Sequence, residues 1–167
     1  MEKLENVITE KALTEQEVIN LIKEFSEKSS AVINYDKSLL QTIHGKRLRI
    51  NDVDINDENF PSEQSLKGEV VILTKLFARK DAGESCSQMI ERMKEDGYHP
   101  ASIIELISLN ISEYHRQFHI YAYGSVFKNR RQYYVYPFIQ LNEVGLTNLS
   151  TYLSENDRLL GVCRIIK

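Results

Sequence analysis

The chain contains no tryptophan and only two cysteines, Cys86 and Cys163. Two thiols permit one disulfide but do not make the staple framework of a small secreted domain. The expectation is a reduced, cytoplasmic protein, with signal-independent secretion left open. No apolar run approaches the ~20 residues needed to cross a bilayer. The opening residues, Met1 to Glu5, are charged and lack the apolar centre of a signal peptide. A Gly-rich phosphate loop, a Ser-His-Asp pattern and a CxxC pair are all missing, which lowers the odds of nucleotide hydrolysis and of dithiol chemistry. A formal net charge of −3 argues against general nucleic-acid binding and against attraction to a membrane surface.

What is present is ordinary in bulk and uneven in detail. With 167 residues, 42 % of them hydrophobic and 27 % charged, the chain can bury a normal core. Five of the nine tyrosines cluster locally, at Tyr121, Tyr123, Tyr133, Tyr134 and Tyr136. Helical patterns come first and in the middle, and strand patterns dominate the end. That order favours an α+β fold with a largely antiparallel sheet and two packed helices. Residues 1–45 read as an N-terminal helical arm and 46–167 as the α+β domain, together one folding unit.

Residues 97–126 carry the sharpest punctuation. Met89, Ile90 and Met93 recur at helical spacing, and Gly97 is placed to close that helix in the left-handed conformation. Pro100 biases His99 toward extended backbone. Ser102 and Glu105 then form a capping box for a second helix over 101–113. Upstream, Thr14-Glu-Gln-Glu17 is another capping box, followed by the apolar face of Val18, Leu21, Ile22 and Phe25, which predicts a helix ending near Ser29-Ser30. Residues 31–35 read as a strand or the helix tail, and 38–43 as strand or helix. Strands are predicted over 46–51, 69–77, 119–127, 132–139 and 159–166, with a short one at 149–153. Residues 128–131 make a hairpin tip in which Asn129 takes positive φ, and Pro137 places its strand at a sheet edge or bulge.

Four constellations bear on chemistry. The first is the hairpin: Tyr121 and Tyr123 share one strand face with His119, Tyr134 and Tyr136 share another with Phe138, and Lys128, Arg130 and Arg131 sit at its tip. Tyrosine gives large contact area at low entropy cost, and arginine accompanies it at binding centres. Base stacking on such a platform is the nucleic-acid variant of this reading. The second is Cys86 in the first turn of a helix, where the dipole lowers a thiol pKa, with His99, His115 or His119 as the base a cysteine nucleophile needs. Glu84 opposes thiolate formation. The third is His115-x-x-x-His119, whose spacing suits a metal on one helical face, although Arg116 stands where HExxH has its glutamate and the stretch straddles a helix-to-strand change. The fourth is Asp52-x-Asp54-x-Asn56 with Glu63, which imitates a calcium loop but has Asp57 where the sharp turn needs glycine.

The words Gly97-Tyr-His-Pro-Ala-Ser-Ile-Ile-Glu-Leu-Ile107, Tyr123-Gly-Ser-Val126 and Leu160-Gly-Val-Cys-Arg-Ile-Ile-Lys167 resemble a group of uncharacterised bacterial proteins. Their recurring pattern is a "GYRPAT-x-x-ELL" turn and helix, an "ALGSV" strand and a closing "RFLAVRK" strand. The likeness covers about residues 88–167 and departs at His99, Ser102 and Tyr123. It implies shared architecture and assigns no chemistry. The same turn, helix and closing strand are more distantly similar to C-type-lectin-like bacterial modules, a family that mostly binds. Together these observations point to a non-catalytic interaction module with a protein or peptide partner and no cofactor, with a small cysteine-histidine enzyme and a structural protein as the alternatives.

Overall fold

The computed structural model describes residues 28–61, 66–109, 116–148 and 153–165. Its elements run β1 (Lys28–Asn34), α1 (Leu39–Gly45), β2 (Arg49–Ile50), β3 (Glu69–Phe77), α2 (Cys86–Glu95), β4 (His99–Pro100), α3 (Ile103–Ser108), β5 (His119–Tyr121), β6 (Phe127–Lys128), β7 (Tyr134–Gln140), β8 (Glu143–Thr147) and β9 (Asp157–Ile165). The sheet order is β1-β3-β9-β5-β7-β8-β2, with β4 attached to β9 and β6 to β7. All pairs are antiparallel except β5 with β9 and β2 with β8. This is an α+β fold with a mostly antiparallel sheet.

Alternation along the strands separates two cores. One face presents Ala31, Ile33, Ile72, Leu76, Leu160, Val162, Ile120, Ile139 and Val144 to α1 and α3, which bury Leu39, Ile43, Ile104, Leu106 and Ile107 against it. The other face carries a row directly opposed across five strands: Phe77, Leu159, Tyr121, Phe138 and Gly145. Cys86, Met89 and Met93 of α2 pack against the first part of that row.

Each helix begins with the same device. Ser38, Ser85 and Ser102 accept from the backbone three residues on, and Gln41, Gln88 and Glu105 return the bond to the cap backbone. Gly97 closes α2 with φ +82°, as its position after the last polar turn predicts.

Several expectations change. Residues 1–27, with the predicted Thr14 helix, lie outside the described residues. Lys28–Asn34 is the outermost strand, which realises the strand alternative for 31–35 and begins before the helix end expected near Ser29-Ser30, and Leu39 and Ile43, placed in the arm, belong to the main core. The β-branched Val32 and Ile33 and the two serines before them suit a strand better than a helix. The run at 119–127 is not one strand: β5 stops at Tyr121 and the chain turns at Ala122–Gly124. Pro137 is the reason. Ala122 N–H donates to the Pro137 carbonyl at 3.0 Å, and proline has no N–H to return the bond, so the ladder ends there. Pro137 therefore lies in an interior strand, not at a sheet edge. At the hairpin tip the positive φ falls on Gln132 (66°), not on Asn129. β8 is unanticipated; the strand expected at 149–153 lies almost wholly outside the described residues.

Candidate functional site

The hairpin formed by β6 and β7 has a buried base and an exposed apex. Val135, Pro137 and Ile139 turn into the core, and Phe127 meets the Phe60 ring at 5.7 Å, which ties β6 to the loop before β3. The tip is organised by Asn129. Its side-chain oxygen accepts from the N–H groups of Arg131 and Tyr133, both at 3.0 Å. Its backbone N–H donates to the Tyr133 carbonyl and its carbonyl accepts from Gln132 N–H. An Asx turn of this kind fixes the loop without using any exposed side chain. Arg130 and Arg131 consequently project into solvent.

The tyrosines divide by depth. Tyr121 is only 9 % exposed and lies in the second core, so the expectation that it faces a visitor is corrected. Tyr123 and Tyr136 are half-buried and stack on each other, with centroids 4.3 Å apart. Tyr134 is 62 % exposed, with Lys128 Nζ 5.8 Å from its ring centre. Tyr133 and Val126 are exposed beside it. The accessible patch is thus Val126, Lys128, Arg130, Arg131, Tyr133 and Tyr134. Tyr133 and Val126 escape a strand-alternation reading because both sit where alternation has already ended. Their signal is the turn itself.

Beneath this hairpin lies the second constellation. Burial, followed by the neighbouring Cys86 thiol, pushes the Tyr123 phenol pKa upward. Burial likewise raises the Cys86 thiol above its ordinary range, outweighing the neighbouring Tyr123 hydroxyl. His119 Nδ1 stands 3.1 Å from Asp157 Oδ1, which also accepts from the Tyr121 hydroxyl at 3.2 Å. Burial pushes the Asp157 pKa up, but bonds from Ser154, His119 and Tyr121 outweigh it and hold the group ionised. A carboxylate accepts, so the His119 bond is made by Nδ1–H. Cys86 and His119 therefore enter one aromatic cluster through different partners, a thiol kept protonated and an imidazole fixed by an acid. Burial disfavours the thiolate that nucleophilic attack requires. His115 lies outside the described residues, and His119 is on a strand, so the helical face required of a His-x-x-x-His pair is not formed at its second member.

The acidic loop is occupied with its own backbone. Asp52 accepts from Asp54 N–H, and Asn56 accepts from the N–H groups of Glu58 and Asn59. Glu63 lies outside the described residues. Among the described residues, no three His, Cys, Asp or Glu side chains gather as a metal site.

A third cluster was visible in the sequence only as a helix cap. Glu105 has no solvent exposure, yet it accepts from the Tyr35 hydroxyl at 2.9 Å, Arg164 Nε at 3.0 Å and Ser102 N–H at 2.7 Å. Burial raises its pKa, but the neighbouring His99, the Ser102 N–H, the Arg164 charge and the Tyr35 hydroxyl bring it down to about 2. At 3.9 Å, His99 Nε2 is an electrostatic neighbour rather than a hydrogen-bond partner. A cleft of about 270 Å³ opens nearby, lined by Tyr35, Phe60, Ser102 and Ser125. Its polar atoms already have duties: Tyr35 serves Glu105, and Ser125 accepts from Ile103 N–H at 2.9 Å.

No protein-family model, curated protein or solved structure matches this chain. No helix among the described residues is long and apolar enough to cross a membrane.

Proposed function

We propose that this protein is a non-catalytic interaction module whose working surface is the apex of the β6–β7 hairpin, and that its partner is an acidic protein or peptide segment. The observation that carries this reading is the co-exposure of Tyr133, Tyr134 and Val126 with Lys128, Arg130 and Arg131 on a tip that Asn129 holds in shape. Large apolar side chains left in water on a rigid, polar-rimmed turn mark contact surfaces more often than scattered single residues do. The local charge is positive on a chain whose net charge is −3, so the apex steers toward acidic partners. Aromatic rings with cations also suit single-stranded nucleic acid, but the overall negative charge opposes the phosphate contacts such binding depends on.

The test is capture from lysate of the native host, with the wild-type chain and an Arg130→Glu, Arg131→Glu, Tyr134→Ala variant as baits. The three side chains are exposed, so the far-UV circular dichroism of the variant should match the wild type. The expected result is loss of a captured acidic protein by the variant, and weakening of wild-type capture as ionic strength rises. Equal capture by both baits contradicts the reading.

A further inference from the structure

The far end of the sheet from the hairpin carries a second surface. β1 is the outermost strand and pairs with β3 in unbroken register from Lys28↔Lys75 to Asn34↔Glu69. Tyr35 N–H donates inward to the Gly68 carbonyl at 2.9 Å. Alternate residues of an antiparallel strand direct their backbone groups to opposite sides. Ser30, Val32 and Asn34 therefore turn their N–H groups outward. Among the described residues, nothing pairs with the N–H and C=O of Ser30 and Val32.

Proteins ordinarily blunt such an edge with a charge, a proline or a bulge. β1 has none of these between Ser29 and Asn34. Among the described residues the edge is also open. A groove of about 290 Å³ runs beside it, with Val32 and Asn34 on one wall and Gln41 and Thr42 of α1 on the other. An apolar row leads up to it across three strands: Ile165 lies opposite Val71, and Val71 opposite Val32. Val32 is 61 % exposed and Ile165 is exposed.

We infer that β1 pairs antiparallel with β1 of a second copy of this chain, about a two-fold axis at Val32. Only another strand supplies donors and acceptors at the repeat this edge presents. A two-fold at Val32 sets Val32 against Val32 and Ser30 against Asn34, whose carbonyl also accepts from Lys37 N–H at 3.3 Å. No like charges oppose each other between Ser29 and Asn34. The apolar row then runs unbroken from Ile165 of one copy, through both Val32 residues, to Ile165 of the other. An isologous contact of this kind closes as a dimer rather than growing into a fibre.

Light scattering coupled to gel filtration of the full chain tests this. At tens of micromolar the wild type should show twice the single-chain mass of 19.4 kDa. Val32→Lys places a charge on the axis and should halve the observed mass. Val32→Pro removes one outward N–H that the β3 ladder does not use, and should halve it too while keeping the circular dichroism of the fold. A wild-type mass of one chain overturns the inference, which leaves the edge to another segment of the chain or to a foreign strand. A mass that climbs beyond two chains, or a dimer that survives both substitutions, overturns it as well. The hairpin is untouched by these variants, so their outcome is independent of partner capture.

Discussion

A carboxylate with no access to water survives only where its lone pairs are filled, and Glu105 shows how one residue can fill two roles. One oxygen closes the capping box of α3 and the other receives Tyr35 and Arg164. Its pKa is depressed from 4.5 to about 2 by these partners, against the effect of burial. A depressed carboxylate stabilises the fold above its unfolded pKa, and the contribution is lost as pH falls through the folded value. A shift of this size is on the order of 3 kcal/mol at neutral pH. Urea unfolding of the wild type should therefore lose stability between about pH 4.5 and pH 2. Glu105→Gln should be less stable at pH 7, because it removes the carboxylate charge that Arg164 Nε and the Tyr35 hydroxyl meet, and should lack that acid-sensitive portion. Equal acid slopes in both proteins would contradict the assignment. The capping half of this residue's role is legible in the sequence, since Ser102 and Glu105 are three apart. The pairing with Arg164 and Tyr35 is not, because it depends on a sheet that brings together positions 59 and 70 residues apart.

α2 and α3 were legible because their signals are local: apolar residues at helical spacing, a closing glycine at 97 and, for α3, an N-cap serine with a glutamate three residues on, whereas residues 38–43 of α1 read equally as strand or helix. Strand signals depend on the neighbour. β8 reads poorly as Glu-Val-Gly-Leu-Thr, with a glycine at its centre that weakens any isolated strand. In the fold that glycine is required: a Cβ at Gly145 would stand 2.7 Å from the Phe138 ring on β7. The partner strand therefore explains the residue that hides β8 from a sequence reading. Gly145→Ala should lower the melting temperature by the equivalent of about 1–3 kcal/mol, the usual cost of overpacking. The same substitution in a Phe138→Leu background should cost measurably less, since the two positions share one space. An equal cost in both backgrounds would show that the ring does not set the requirement. Pro137 teaches the complementary lesson. Of the two places expected for it, edge or bulge, the second applies: its missing donor faces the point where the chain leaves the sheet between β5 and β6.

At the scale of the molecule, the sheet holds two cores on opposite faces, and its two ends differ. One end carries β1, with a lysine only at its first residue and, among the described residues, an unpaired outer edge. Toward the other, the β6–β7 hairpin lifts a cationic, aromatic apex away from the interior. The general class, α+β with a mostly antiparallel sheet, was legible from the order of helical and strand patterns. The depth of each tyrosine was not: Tyr121 and Tyr134 belong to the same sequence cluster, yet one is packed in a core and the other stands in water.

The central claim is that a partner meets the apex of the hairpin. Photo-crosslinking from position 134 tests it most directly, with a photoreactive phenylalanine placed there and, as control, at the equally exposed Leu141 at the opposite end of β7. The account predicts a discrete protein adduct in native host cells from position 134, absent from position 141 and lost when Arg130 and Arg131 are reversed to glutamate. No adduct from position 134, or one indifferent to the charge reversal, would contradict it.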